Sequence, residues 1–165
     1  MDPMRLILKR LNDHGVEYVL VGGLAAVVHG SSLVTYDVDV CVSFREPNLS
    51  KIFDTLREIN PRIRMRPDKM RLPDDPARFT SLKNLYLDTD LGSIDFLGEL
   101  TGVGGFEEVM KHSKVTDFGA FECRVLDLET LIIAKRAAGR PKDIRALPEL
   151  EALKRDLTLF DPDQE

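Results

Sequence analysis

The segment Asp37-Val38-Asp39-Val40-Cys41-Val42 limits the fold more than any other part of this chain. Valine at every second position is the period of a strand that buries one face. The two aspartates then share the opposite face, about 6.6 Å apart along the strand. Two readings follow. Either that face borders solvent, or it belongs to a site that needs negative charge. Ser93-Ile94-Asp95-Phe96-Leu97 repeats the alternation. If this second strand lies beside 37–42, three carboxylates converge and raise one another's pKa unless a cation intervenes. Hard oxygen donors of this kind suit Mg²⁺, which commonly keeps water and substrate phosphates as its remaining ligands.

Two further clusters carry chemistry. Gly22-Gly23 follows an apolar strand over 16–21 and precedes a short helix over 24–29. Paired glycines there allow a phosphate to approach the backbone, or simply permit a tight bend. GGLAAVVHG does not match G-x-G-x-x-G, and no G-K-[ST] is present for a P-loop. The second cluster is Lys135-Arg136-Ala137-Ala138-Gly139-Arg140-Pro141-Lys142-Asp143. Cations at a helix C-terminus are favourable without any ligand, so this cluster alone does not define a site. His14, His29 and His112 show no metal-ligand spacing and read as structural or surface residues.

Asp2-Pro3 and Gly15 bracket a helix over 3–14 with Met4, Ile7, Leu8 and Leu11 on one face. Asn48 or Ser50 would cap a helix that Pro61 ends. Residues 61–78 hold Arg62, Arg64, Arg66, Lys69, Arg71 and Arg78 against Asp68, Asp74 and Asp75, and their prolines predict an irregular, mobile connection. It reads as a solvated loop or a guide for a polyanion. A hairpin over 82–97 turns at DTDLG, and the glycines of 98–105 predict a loop or hinge. Then come a helix over 106–112, strands over 114–118 and 121–126, and a helix capped by Asp127 and ended by Gly139. A last helix from near Pro141 would carry Ile144, Leu147, Leu150 and Leu153, and the tail DPDQE would fray.

The 165 residues suit one domain, or a domain with a small appendage, with 43% hydrophobic and 31% charged residues. A net charge of −5 argues against nucleic-acid binding by bulk charge, though not against a local basic patch. Cys41 and Cys123 form neither a disulfide framework nor a C-x-x-C and read as buried thiols. The N-terminus lacks signal-peptide anatomy, and the apolar run 18–28 is too short to span a bilayer, so the expectation is a cytoplasmic protein with no membrane partner.

In this order and spacing the clusters resemble the nucleotidyltransferase superfamily, whose fold is shared with DNA polymerase beta. The chain is similar to small bacterial members related to abortive-infection toxins of toxin–antitoxin systems. The matching residues are Gly22-Gly23, Asp37-Val38-Asp39, Asp95, Thr35 two positions before the first aspartate, and 135–143. Leu33 departs from the pattern, where relatives often carry arginine. The resemblance implies an α/β (α+β) fold, a short mixed β-sheet flanked by helices. A catalytic core over 1–105 would be followed by a strand and helix part over 106–160 that closes the cleft, either as a subdomain or continuous with the core. It implies transfer of a nucleoside monophosphate from a nucleoside triphosphate to an acceptor hydroxyl, with loss of pyrophosphate. Asp37, Asp39 and Asp95 would be the catalytic, metal-binding residues for two Mg²⁺ ions. Gly22, Gly23, Thr35, Lys135, Arg140, Lys142 and Asp143 would hold the nucleotide. RNA is one expected acceptor and an antitoxin one expected partner. The alternative is a non-catalytic nucleotide- or RNA-binding antitoxin or regulator on the same fold.

Overall fold

The computed structural model describes residues 1–79 and 81–159, so the expected fraying of the DPDQE tail lies outside the described residues. Helix α1 (Pro3–Asp13) starts where Asp2 accepts a hydrogen bond from the Arg5 N–H at 3.1 Å and Pro3 opens the first turn. Its fully buried Ile7, Leu8 and Leu11 each contribute about 1.5–3 kcal/mol on leaving water. The chain then enters β1 (Tyr18–Val21), all four residues buried. Next come α2 (Gly22–Val28), β2 (Asp37–Val42), α3 (Asn48–Leu56), β3 (Arg62–Ile63), β4 (Asn84–Thr89) and β5 (Gly92–Leu97). A small pair, β6 (Glu99–Leu100) and β7 (Gly104–Gly105), precedes α4 (Phe106–Lys111), β8 (Ser113–Asp117), β9 (Glu122–Leu126), α5 (Leu128–Ala138) and α6 (Pro141–Leu159).

Seven strands form one mixed sheet in the order β3-β4-β5-β2-β1-β9-β8. Strands β2 and β5 are parallel, as are β1 and β9, and the other neighbours are antiparallel. Tyr18, Leu20, Val38, Val40, Val42, Ile94 and Phe96 are buried, and the Tyr18 hydroxyl reaches the Leu8 carbonyl and Asn12 Oδ1, so α1 covers their face. The opposite face carries Asp37, Asp39 and Asp95, and α2, α5 and α6 gather beside it. The sheet places the aspartates; the helices place the cations.

Several sequence-based expectations need correction. The connection over 61–78, expected to be irregular, is regular in part. Ile63 N–H donates to the Met70 carbonyl and Leu72 N–H to the Pro61 carbonyl, both at 2.8 Å, building a small hairpin on the sheet edge. Proline fits there because an edge needs no donor from it. Residues 98–105 contain the β6–β7 pair rather than only a loop. Strand β4 continues past Leu87 to Thr89, so Asp88 lies in the sheet. Helix α2 begins at the glycines themselves. Asn48 caps nothing: it is buried, accepts from Glu17 N–H and donates to the Glu17 and Ser43 carbonyls, tying α3 to the entry of β1. In α6 Leu150 is buried and Leu147 and Leu153 pack partly buried against the core, as expected, while Ile144 is exposed and Asp143 and Ala146 are buried instead.

Candidate active site

Parallel pairing sets Asp39 opposite Asp95 and Asp37 opposite Ser93. Antiparallel pairing sets Tyr86 beside Asp95 and Asp88 beside Ser93. Partners across a ladder share a face, so Asp37, Asp39, Asp88 and Asp95 all project from one side of the sheet. Ser93 Oγ donates to Asp88 Oδ1 at 2.7 Å. Gly22 sits against this cluster with φ +67°, and a Cβ there would overlap the Asp39 carboxylate. The backbone turn after β1 therefore closes on Asp39 because residue 22 has no side chain.

A cavity of about 400 Å³ opens in front of the carboxylates, within the usual size of a small-molecule site. One wall is the sheet, with Gly22, Asp37, Asp39, Tyr86 and Asp95. The facing wall is a stripe of α5, Leu131, Ala134, Lys135 and Ala138, followed by Arg140, Lys142 and Asp143. Helix α5 is aimed by its ends. Asp127 accepts from Thr130 N–H at 2.7 Å, and Gly139, at φ +64°, stops the helix and turns Arg140 and Lys142 toward the cavity. Asp143 is 1% exposed and binds Arg140 Nε at 2.7 Å and Lys135 Nζ at 3.6 Å. It orients both cations and so is a positioning residue of that wall.

The charges feel one another. Burial raises the Asp39 pKa, the Asp37 charge raises it further, and Lys142, Lys135 and Arg140 oppose the rise. For Asp143, burial works upward but is outweighed by the Arg140 hydrogen bond and the charges of Arg140 and Lys135, leaving the carboxyl below its ordinary value. A carboxylate wall in which Asp39 is unfavourably ionised thus faces a cationic one.

Of the residues singled out in the sequence, the cavity brings together Gly22, Asp37, Asp39, Asp95, Lys135, Arg140, Lys142 and Asp143. Gly23 and Thr35 are not on its walls. They pack on each other, since a Cβ on Gly23 would meet Thr35 Oγ1 at 2.8 Å, and that hydroxyl donates to the Asp37 carbonyl at 3.4 Å. Leu33 is 48% exposed in the loop before β2, and Ser32 in that loop is held by Glu149 of α6. Sequence reasoning did not place Asp88, Asn84 or Tyr86 here. The alternation Asn84, Tyr86, Asp88 with Leu85 and Leu87 was the available signal.

Arg64, expected among the basic residues of a loop, instead enters the carboxylate cluster. Its Nη2 pairs with Asp95 Oδ1, Nη1 lies 3.9 Å from Asp37 Oδ2, and Nε lies 3.5 Å from Asp88 Oδ1. Lys69 Nζ stands 3.9 Å from Asp88 Oδ2. Among the described residues, no three carboxylate, histidine or cysteine side chains are gathered closely enough to hold one metal ion. The carboxylates surround a guanidinium instead. His29 is structural, bonded to the Leu126 carbonyl at 2.7 Å, and both cysteines are buried free thiols.

No protein-family model and no curated protein sequence matches the chain. Its fold is similar to the crystal structure of a Thermotoga maritima protein that bears the provisional name of nucleotidyltransferase. The two share 20% identity with a TM-score of 0.56, over 94% of this chain and 90% of that one. The chain therefore shares the fold of that protein, a mixed sheet flanked by helices. No described helix is long and apolar enough to cross a membrane.

Proposed function

We propose that this chain is a Mg²⁺-dependent nucleotidyltransferase that moves a nucleoside monophosphate from a nucleoside triphosphate to an acceptor hydroxyl. The observation that carries this reading is the cavity with an aspartate wall facing a lysine and arginine wall. A triphosphate with bound cations needs both signs of charge in one pocket, and a site for a neutral ligand needs neither. The donor chemistry fits hard cations: every acidic ligand is a carboxylate oxygen, and the cluster already accommodates a positive charge in the form of Arg64.

Asp37, Asp39 and Asp95 would hold the metal ions. When bound, these would neutralise the phosphate oxygens and lower the pKa of the acceptor hydroxyl. Lys135 and Lys142 draw the triphosphate to the α5 side, with Lys135 fixed by Asp143. Gly22 leaves the backbone open beside Asp39. The acceptor oxygen attacks the α-phosphorus in line, its proton passes to an Asp95 carboxylate oxygen, and the bond to the departing pyrophosphate breaks. A role as the toxin of a toxin–antitoxin pair, with a neutralising partner, is a further step of this reading. It predicts growth arrest on expression that Asp37→Asn abolishes.

RNA is the proposed acceptor to test first. Its electrostatic support is modest, because Arg62, Arg64, Arg66 and Lys69 already lie beside Asp90, the catalytic carboxylates, Asp68 and Asp88. The alternative reading, a non-catalytic nucleotide- or RNA-binding regulator, draws on Arg64 standing among the carboxylates. Incubation with each α-labelled nucleoside triphosphate, Mg²⁺ and total RNA separates the two. Label should reach RNA or the protein fraction. Asp95→Ala should keep most triphosphate affinity and lose about 10²–10⁴-fold in transfer. Binding without any transfer to RNA, protein or small-molecule hydroxyls selects the regulator.

A further inference from the structure

We propose that Arg64 is a built-in counter-ion of the catalytic carboxylates, which a divalent cation must displace to enter the site. The inference rests on the metal-binding reading of Asp37 and Asp95 and adds a residue that controls it.

The guanidinium is shared among side chains of three strands: Asp37 of β2, Asp88 of β4 and Asp95 of β5. An arginine that serves only to staple a fold normally satisfies its N–H groups in fork-like pairs. Here Nε is shut off from solvent with no hydrogen-bond acceptor, its approach to Asp88 at 3.5 Å being electrostatic only. Only Nη2 is hydrogen-bonded, to Asp95 Oδ1 and at 3.5 Å to the Leu87 carbonyl, while the approaches to Asp37 and Asp88 are electrostatic, so a smaller, doubly charged ion competes for the same carboxylate oxygens. Removing the guanidinium without replacing its charge would leave Asp37, Asp88 and Asp95 facing one another, with Asp39 in the next position on β2.

The attachment of Arg64 permits such an exchange. It follows β3 directly, and its N–H donates to the Tyr86 carbonyl at 3.0 Å. Beyond it the tip of the hairpin, residues 65–71, is exposed. The side chain therefore reaches the cluster from the sheet margin, where it stays 26% exposed. Lys69, from the same tip, lies beside Asp88 and provides a weaker second charge.

Mn²⁺ binding followed by electron paramagnetic resonance, without nucleotide, tests the proposal on the full chain. Arg64→Gln should bind Mn²⁺ about tenfold or more tightly than the parent, because a unit positive charge beside the site is gone. Arg64→Lys, which keeps the charge, should stay near the parent. Metal-free Arg64→Gln should melt lower than the parent and gain more on adding Mn²⁺. Equal or weaker Mn²⁺ binding by Arg64→Gln overturns the proposal while leaving the metal site standing. If neither protein binds Mn²⁺, with or without nucleoside triphosphate, the metal-dependent reading falls and this inference with it. Should Arg64→Gln not fold, ¹⁵N-arginine labelling of the parent provides the readout. The Arg64 Nε–H signal, assigned by its loss in Arg64→Lys, should shift with Mg²⁺ and saturate with it. A signal unmoved at saturating Mg²⁺ also overturns the proposal.

Discussion

Gly22→Ala tests whether the turn after β1 and the aspartate of β2 form one unit. Residue 22 has φ +67°, a conformation that costs an alanine about 1–2 kcal/mol. The new Cβ would also overlap the Asp39 carboxylate and lie 2.8 Å from Asp39 Cβ, so Asp39 must leave its rotamer or the strand must shift. Forced repacking of this kind costs about 1–3 kcal/mol. The sum, about 2–5 kcal/mol, should lower the melting temperature by roughly 4–20 °C in a domain of this size. Only the backbone part survives when Asp39 is glycine. A double-mutant cycle of Gly22→Ala with Asp39→Gly should therefore give a coupling of about 1–3 kcal/mol, with the double variant more stable than the sum predicts. Urea unfolding followed by far-ultraviolet circular dichroism is the suitable assay, since the chain has no tryptophan. Additivity within about 0.5 kcal/mol would refute the steric argument, because residues that do not meet do not couple. Gly22→Ala should also weaken Mn²⁺ binding, as the carboxylate it displaces is one of the proposed ligands.

Two other predictions address the cationic wall and the thiols. Asp143 has a folded pKa below its unfolded value, so its contribution is present above the unfolded pKa and is lost as pH falls through the folded one. Asp143→Asn should flatten the parent's acid-side loss of stability below about pH 4. At pH 7 it should cost about 2 kcal/mol, modest for a buried ion pair because Arg140 is itself largely exposed. An unchanged slope of stability against pH would show that Arg140 and Lys135 do not hold Asp143 ionised. Burial pushes the Cys41 thiol up to about 12 and the Cys123 thiol up to about 11, so both should resist a thiol reagent at pH 8 until urea unfolds the chain. Rapid labelling of the native protein would contradict their burial.

The parts legible in the sequence are those where local chemistry and fold agree. Asp2, Pro3 and Gly15 mark α1 to within a residue, and Asp127 with Gly139 mark α5, because caps are decided within a few residues. The Asp37/Asp39 alternation shows its face directly. Asp88 was missed because DTDLG has turn composition. The reversal is tight enough for Thr89 to pair with Gly92, which keeps Asp88 in the strand opposite Ser93. The hairpin of 61–72 leaves little side-chain record: its bonds run between main-chain groups, and its prolines suggest irregularity. In α6 the inward row holds Asp143 with Ala146 and Leu150, so a search for large apolar residues selects Ile144, which faces solvent.

The arrangement of charge was the least legible feature, and it matters most for function. A net charge of −5 describes a protein without strong preference for polyanions. The fold sorts those charges. Asp37, Asp39 and Asp95 stand on one side of a cavity, Lys135, Arg140 and Lys142 on the other. The acidic group comes from residues 37–95 and the basic group from residues 135–142, and they meet because β9 lies beside β1 and delivers α5 next to the sheet. Each group alone has a bland explanation, an exposed strand edge or a helix C-terminus with favourable cations. Facing each other across about 400 Å³, they no longer do, since unpaired like charges in a partly buried wall persist only where a ligand or counter-ion compensates them. On the acidic wall the compensating charge is Arg64; on the basic wall it is Asp143. The two differ in burial. Asp143 is sealed at 1% exposure and anchors its partners, whereas Arg64 is 26% exposed at the sheet margin, the one of the two able to leave.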